Sequence, residues 1–281
     1  MEITPIQEVI PESRIVMFAP HYDDFLLGLG GYALELKARG LLATKQFHIL
    51  ILFSRSNYQA GNGAANYDTS LERIKLATGK RIIEDIECLD ELLGVNNYRY
   101  ELLREKECLI RAKPFAEDEM EFPQGTYVDF DDEDRQILNR MQKLVEVWAL
   151  KPDTALIFPL AIKEHIDHFI TREAGVTTAI KLGCKAAARF YFQEDKPYAG
   201  IQTLEEEARV NEFVNANHLK SCVYRSHSDQ VIHLTFKHYL SQVEDVYRKG
   251  IKKRSEQLKQ IYSLKEDCDQ IFTLQPLSFN A

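Results

Sequence analysis

Several features that assign a chain to a specialised class are missing from this sequence of 281 residues. It has five cysteines, an odd number without a CxxC pair, which argues against both a disulfide framework and a thiolate metal site. No apolar run approaches the roughly 20 residues that span a bilayer, and no basic segment followed by an apolar stretch opens the chain. We therefore expect no membrane insertion and no signal peptide. Reduced thiols without a targeting segment predict a cytoplasmic protein.

Positive charge is scarce, since 35 Lys and Arg face 43 Asp and Glu and the formal net charge is −8. Such a chain repels phosphate backbones, so we expect no nucleic-acid partner. The basic run 248–254 is a local exception that is typical of the solvated face of a helix. The composition, with 45% hydrophobic residues, predicts a soluble globular protein whose partner is a small molecule. The composition leaves open whether the protein forms a homo-oligomer.

Apolar runs alternate with helical patterns along the first two thirds of the chain. The segments 14–19, 47–53 and 154–158 are typical of buried strands, and 29–39 and 69–93 of helices that end at a glycine. Further elements are expected at 98–102, 131–148, 167–182, 188–193 and 203–218. The alternation predicts an α/β fold with a Rossmann-like, mainly parallel sheet and helices on both faces, in a three-layer α/β/α arrangement.

Two regions break this alternation. Residues 104–134 are acidic, contain two prolines and show little periodicity, which predicts an insertion with a hairpin around Gly125. From about residue 235 the pattern predicts a helical C-terminal extension, followed by a short apolar end at 270–277.

Polar clusters follow two of the predicted strands. Residues 19–24 have the sequence APHYDD and come directly after the first strand, while residues 165–168, HIDH, follow the strand at 154–158. Because open α/β sheets bind ligands at the carboxyl ends of their strands, we expect the two clusters to face one site.

The residue types suit a hydrolytic zinc site, which often takes two imidazoles and one carboxylate and leaves a position for water. His21, Asp24 and His168 supply that set. Asp23 is adjacent and could act as a general base without being a ligand.

The remaining polar residues of the second cluster allow further roles. A protonated His165 could stabilise an oxyanion or donate a proton to a leaving amine, and Asp167 could orient an imidazole. Each residue also has an ordinary structural explanation, such as a loop histidine, an Asp-Asp helix cap or an exposed His-x-x-His pair. The residues alone leave a metal site and these explanations equally open.

Residues 19–24 resemble the strand-end motif His-Pro-Asp-Asp-Glu of the LmbE-like, or PIG-L, family of metal-dependent de-N-acetylases. Residues 165–168 resemble that family's second motif, His-Pro-Asp-His. Supporting matches are the glycines Gly30 and Gly31, the segment 81–84 before the pair Leu93 and Gly94, and the aromatic strand with an acidic residue at 191–194. The resemblance covers about residues 14–200 in the expected order.

The resemblance implies a single LmbE-like α/β domain over residues 1–281. It implies a zinc-dependent hydrolase, with Fe²⁺ or another divalent metal as alternatives, that removes an acetyl or other acyl group from an N-acetylated amino sugar or its conjugate. It implies the following roles: metal ligands His21, Asp24 and His168, base Asp23, and electrostatic stabilisation and proton delivery by His165. Arg81 is implied to contact substrate, while a salt bridge to Glu84 or a neighbouring helix is equally open.

Some positions depart from the family pattern. Tyr22 and Ile166 replace prolines and Phe25 replaces a glutamate, while the usual C-terminal Ser-Gln motif has only the poorly placed pair 241–242. Two other functions therefore stay open. One is an amidase acting on another small amide or a thiol conjugate, and the other is a non-catalytic descendant that binds a glycan or a partner.

Overall fold

The structure is a computed structural model that describes residues 3–113 and 130–274. The strands are β1 (Arg14–Ala19), β2 (Gln46–Ile51), β3 (Tyr98–Leu102), β4 (Thr154–Pro159), β5 (Arg189–Gln193), β6 (Leu219–Arg225) and β7 (Cys268–Leu274). The helices are α1 (Ile6–Val9), α2 (Asp24–Ala38), α3 (Leu71–Leu93), α4 (Asp132–Ala149), α5 (Ile166–Leu182), α6 (Tyr198–Ile201), α7 (Leu204–Ala216), α8 (Ser228–His238) and α9 (Asp245–Tyr262). Short 3-10 turns lie at Leu42–Thr44, Gly63–Tyr67, Ile162–Glu164 and Gly183–Lys185.

The seven strands form one sheet in the order β3-β2-β1-β4-β5-β7-β6. Neighbours among β1 to β5 are parallel, and β7 is antiparallel to both β5 and β6. From β1 the chain builds outward through β2 and β3 on one side, then returns to add β4 and β5 on the other. The order reverses between β1 and β4, and the crevice at such a point is where open α/β sheets bind ligands.

Helices cover both faces of the sheet, which explains why its central strands are apolar throughout. In β1, Ile15 and Met17 pack in a core with α2, α3 and α8. Val16 and Phe18 point the other way and pack with α4 and α5. Successive side chains on a strand point to opposite faces, so both sets are buried when both faces are covered. The predicted three-layer α/β fold is confirmed.

Helix α2 begins at Asp24, five residues before the predicted start at 29. All the residues from Asp24 to Leu36 are buried. Because apolar residues occur all around the first turns, they give no amphipathic period from which the start could be recognised.

The prediction of a helical extension from about residue 235 is wrong in part. Helix α9 lies there, but the chain then returns as β7, between β5 and β6. Asp269 and Gln270 interrupt the apolar pattern of β7. They can be buried because they accept hydrogen bonds from the buried side chains of Lys196 and Arg254. Such polar pairs hide a strand from a hydrophobicity pattern.

The predicted insertion at 104–134 lies partly within the described residues. Residues 104–113 continue from β3 across the strand ends, and a bridge between Arg55 and Lys106 ties them to the loop after β2. Helix α4 begins at Asp132 with Asp131 as its N-cap, as predicted. The predicted hairpin around Gly125 lies outside the described residues. In the described ranges, none of the helices has both the length and the apolar character needed to cross a membrane.

Candidate active site

The two sequence clusters meet at the carboxyl edge of the sheet, beside the crevice between β1 and β4. His21 lies in the turn after β1, Asp23 is the N-cap of α2 and Asp24 is its first residue. His165 is the N-cap of α5, and His168 lies in the first turn of that helix. Two helix N-termini therefore carry the polar groups into one place.

His21, Asp24 and His168 each offer one ligand atom, and these atoms all lie within 4.8 Å of one another. His21 Nδ1 is 3.7 Å from Asp24 Oδ2, His168 Nε2 is 3.6 Å from Asp24 Oδ1, and the two imidazole nitrogens are 3.3 Å apart. Ligand bonds of about 2.0–2.1 Å at tetrahedral angles separate two ligand atoms by about 3.3 Å. The distances in the predicted ligand set are therefore close to those of a tetrahedral zinc site, with a different Asp24 oxygen nearest to each imidazole.

Two carboxylates fix which nitrogen of each imidazole faces this site. Asp195 Oδ1 lies 2.5 Å from His168 Nδ1, and Asp167 Oδ2 lies 3.0 Å from His21 Nε2. An ionised carboxylate only accepts hydrogen bonds, so these nitrogens carry the protons and donate. The lone pairs of His21 Nδ1 and His168 Nε2 are left facing each other and Asp24. Lone pairs and a carboxylate that converge in this way fit a bound cation.

His168 has strongly charged surroundings. Burial opposes its protonation, but the carboxylates of Asp24 and Asp195 outweigh burial and raise its pKa to about 9. The same negative field favours a metal ion at Nε2, and metal binding releases the proton from that nitrogen.

A second group of possible ligands consists of His21, His165 and Asp167. Asp167 is already committed, because Arg111 donates to its Oδ1 at 2.7 Å and the Cys108 backbone N–H donates to its Oδ2 at 3.0 Å. Although burial opposes ionisation, Arg111 and His21 hold the pKa of Asp167 well below its usual range. This carboxylate is better suited to orient His21 than to ligate.

Asp23 lies next to the ligand set and is buried. Its side chain makes no capping hydrogen bond at the start of α2. Burial and the charge of Asp24 raise the pKa of Asp23, while Arg81, whose Nη2 is 3.9 Å from Asp23 Oδ1, lowers it. A carboxylate whose pKa is raised in this way accepts a proton more readily.

The ring of His165 is held in one tautomer by the backbone. The Asp167 N–H donates to His165 Nδ1 at 3.2 Å, so the neutral ring carries its proton on Nε2, 3.6 Å from Cys108 Sγ. Burial holds the pKa of His165 well below its usual value. The geometry favours a neutral hydrogen-bond donor rather than the protonated imidazole expected from the sequence.

The guanidinium of Arg81 is largely occupied by neighbouring side chains. It pairs with Glu107, donates to Ser56 Oγ at 2.7 Å, and donates to Gln242 Oε1 at 2.7 Å. A salt bridge to Glu84, one of the alternatives that the sequence left open, is not among its hydrogen bonds or ion pairs. Only Nη2, on the side facing Asp23, points toward the ligand set.

The pair 241–242, which the sequence places poorly, contacts the turn of α3 that carries Arg81. The backbone N–H and Oγ of Ser241 donate to Glu84 at 2.8 and 2.7 Å, and Gln242 Nε2 donates to Glu84 at 2.9 Å. Ser241 and Glu84 are 157 residues apart. A contact between residues so far apart in the chain cannot be recognised from a local sequence pattern.

The proposed ligands, Asp23, His165 and Arg81 line a small pocket with a cavity volume of about 60 Å³. Sequence reasoning missed several of its walls, namely Leu27, Tyr58, Glu107, Cys108, Leu109, Lys196, Pro197, Tyr198 and Tyr247. Tyr247 comes from α9, in the region predicted as a separate extension. Glu107 and its neighbours come from the acidic segment interpreted as an insertion, where no local pattern marks them.

The three departures from the family motifs all have structural partners. Tyr22 is buried, and its hydroxyl donates to the Ser54 carbonyl at 2.5 Å, which ties down the turn that a proline would stiffen. Phe25 is buried with its ring 5.8 Å from that of Phe47. Ile166, the first residue of α5, is buried in the core that this helix shares with α4. These side chains support the motif loops through packing.

No protein-family model matches the chain, and no curated protein does either. Among solved structures, the zinc-inhibited form of the teicoplanin deacetylase Orf2 is similar at 16% identity and a TM-score of 0.65, over 95% of this chain and 100% of that one. The A40926 pseudoaglycone deacetylase Dbv21 is similar at 18% identity and a TM-score of 0.59, over 95% and 99% of the two chains.

The N,N'-diacetylchitobiose deacetylase from Pyrococcus horikoshii is similar at 10% identity and a TM-score of 0.55, over 96% of this chain and 90% of that one. At these identities the likeness establishes the fold, which this chain shares with these three deacetylases. The likeness extends over nearly the whole length of each protein.

Proposed function

We propose that the protein is a metal-dependent hydrolase that removes an acetyl or similar acyl group from an N-acetylated amino sugar or its conjugate. One observation carries this proposal. His21 Nδ1, His168 Nε2 and the Asp24 carboxylate converge at tetrahedral spacing, with both imidazoles fixed by carboxylates and with Asp23 beside them. Zn²⁺ suits this donor set, and Fe²⁺ also accepts two imidazoles and a carboxylate.

Asp23 is the base in this proposal. His21, Asp24 and His168 would hold a divalent metal, which when bound would lower the pKa of water toward neutrality and polarise the acyl carbonyl. Asp23 takes the proton from the attacking water and delivers it to the leaving nitrogen. Arg81 stays beside Asp23 and stabilises its ionised form before the proton arrives.

In this proposal His165 acts on the negative charge that develops on the acyl oxygen. Its Nε2–H faces the pocket, and a fixed donor in a buried site stabilises the carbonyl oxygen as it becomes an oxyanion. Asp167 holds the neighbouring His21 through its side chain and His165 through its backbone N–H. One residue thus aligns both imidazoles.

Two observations support the substrate class. Solved structures with this fold include deacetylases of teicoplanin and of N,N'-diacetylchitobiose. The pocket has tyrosine rings on its walls, from Tyr58, Tyr198 and Tyr247, and such rings pack well against the faces of sugar rings.

The test measures released amine from N-acetylglucosamine and N,N'-diacetylchitobiose with protein whose metal content has been determined. The wild type is expected to release amine in proportion to bound metal. Asp23→Asn is expected to lose a factor of about 10²–10⁴ in kcat, the usual size of a general-base contribution, with its metal content unchanged. Wild-type rates in Asp23→Asn would falsify the assignment of the base.

The small pocket supports a second candidate, an amidase that acts on another small amide or a thiol conjugate. Screening simple N-acetyl amides and N-acetylated thiol conjugates beside the sugars separates the two candidates. Release of amine from these amides alone favours the second. A protein that holds no metal and releases no amine from either set is a binding protein instead.

A further inference from the structure

Every cationic side chain on the described wall of the pocket is paired with a buried carboxylate. The lysines and arginines on that wall are Arg81 and Lys196. Arg81 pairs with Glu107, and both side chains are about 5% exposed. Lys196 Nζ lies 2.7 Å from Asp269 Oδ2, with 5% and 7% exposure of the two side chains.

These ion pairs are further held by neutral donors. Ser56 Oγ donates to Glu107 Oε2 at 2.5 Å, and Ser226 Oγ donates to Asp269 Oδ2 at 2.7 Å. Neither cation can turn toward a ligand without leaving a buried carboxylate unpaired, which is costly. The remaining guanidinium nitrogen of Arg81, Nη2, faces the ligand set but lies 3.9 Å from Asp23 Oδ1. The positive charges are therefore committed to carboxylates of the protein.

The ligand set adds no surplus of positive charge. Asp23 and Asp24 bring two negative charges, which balance the two positive charges of a bound divalent metal. The sequence segments outside the described ranges have no lysine or arginine to add, because residues 1–2, 114–129 and 275–281 contain neither. Residues 114–129 instead contain five Asp and Glu.

We propose that the pocket selects uncharged N-acyl substrates and rejects those that carry a carboxylate or phosphate next to the acylated nitrogen. This inference rests on the proposed function for the N-acyl group and adds the charge of the substrate. An anion that enters with the scissile amide meets Glu107 and finds no uncommitted cation. It loses its hydration without compensation.

The test compares N-acetylglycinamide with N-acetylglycine, which match in size and differ in charge one carbon from the nitrogen. Binding to zinc-loaded protein is measured by calorimetry, and released glycine or glycinamide gives kcat/KM. We expect at least about tenfold weaker binding and slower cleavage of the acid, since like-charge contacts at a desolvated site cost more than one factor of ten.

Two variants release one cation each. Glu107→Gln leaves Arg81 without its carboxylate, and Asp269→Asn does the same for Lys196. We expect each variant to reduce the gap, meaning the ratio of the Kd of N-acetylglycine to that of N-acetylglycinamide, by about tenfold. The control is Glu105→Gln, on the same segment as Glu107 but paired with exposed Arg140, which should leave the gap unchanged.

The outcomes separate this inference from the proposed function. If the amide binds better than the acid but neither it nor any N-acetyl sugar is cleaved, charge selection stands and the hydrolase proposal fails. Equal affinity for acid and amide in the wild type overturns charge selection. An equal loss of affinity for both ligands in Glu107→Gln and Asp269→Asn, with the gap unchanged, also overturns it.

Discussion

At the scale of single residues, Asp195 holds more of the site than its position suggests. One oxygen accepts from His168 Nδ1, and the other accepts from the Ile162 backbone N–H at 3.1 Å. The segment it fixes contains Ala161, Lys163 and Glu164 at positive φ, an unfavourable backbone for residues other than glycine. Asp195 therefore orients His168, a proposed ligand, and also stabilises the strained loop that leads to His165.

Replacing Asp195 by Asn is expected to weaken metal binding by about 10–100-fold, because the imidazole loses the charged partner that raises its basicity. The affinity is measured by competition with a chelator of known affinity. Asp229→Asn changes an exposed carboxylate on α8 and serves as the control. Equal metal affinity in Asp195→Asn and the control would show that His168 is oriented without this carboxylate.

Local sequence patterns could predict that the candidate site residues share one site, but not which residues support them. His21, Asp23 and Asp24 are adjacent in the chain, and His165 and His168 share one helical turn, so their spacing carries the signal. Supporting residues meet them only through the fold. Glu107 reaches Arg81 across 26 residues, and Gln242 reaches it across 161, and no local rule relates such positions.

At the scale of elements, the wall formed by α6 depends on a close approach to α9. A Cβ added at Gly200 would lie 1.9 Å from the Gly250 carbonyl oxygen, and one added at Gly250 would lie 2.4 Å from the Pro197 carbonyl oxygen. The two glycines therefore let the backbones touch. This contact sets the relative positions of Tyr198 on α6 and Tyr247 on α9, which both line the pocket.

Gly250→Ala is expected to force α6 away from α9 and to destabilise the protein by about 1–3 kcal/mol, the usual cost of overpacking. It should also lower kcat/KM, because Tyr198 moves with α6. Urea unfolding and amine release measure the two effects. The control is Gly79→Ala on α3, where an added Cβ meets nothing within 4 Å. There alanine should stabilise the helix by up to about 1 kcal/mol. Similar effects of both substitutions would contradict the backbone contact.

The elements also differ in how well a pattern predicts them. Strand β3 has its predicted bounds, and α7 begins one residue after the predicted start at 203, with Thr203 and Glu206 forming a capping box. These features depend on neighbours in the chain. Strand β7 depends on distant partners for its buried polar residues, so its sequence resembles an irregular end.

At the scale of the whole molecule, Asp85 joins three parts of the fold. It lies on α3, and its buried carboxyl accepts from Tyr100 of β3 and from Tyr239 after α8, both at 2.6 Å. Burial raises the pKa of Asp85 to about 8. The folded protein therefore retains a proton there that the unfolded chain loses above about pH 4.

This raised pKa predicts that stability falls as pH rises from about 4 to 8, because the unfolded state binds fewer protons in that window. The contribution is at most about 1.4 kcal/mol per pH unit. Urea unfolding at pH 5 and pH 8 is compared between the wild type and Asp85→Asn, which mimics the protonated form. The wild type should lose stability relative to the variant as pH rises. A constant difference between them would place the proton elsewhere.

The proposed ligand set draws His21 and Asp24 from the β1 side of the sheet's reversal point and His168 from the β4 side, and His21 and His168 are 147 residues apart in the chain. An ion bound by both is therefore a reversible crosslink that closes a very long loop. Before β4 has joined β1, the β1 side offers only two of the three proposed ligands, a pair that would bind the ion weakly. Metal uptake thus reports that the central strands have assembled, and the bound ion adds its binding free energy to the stability of that assembly.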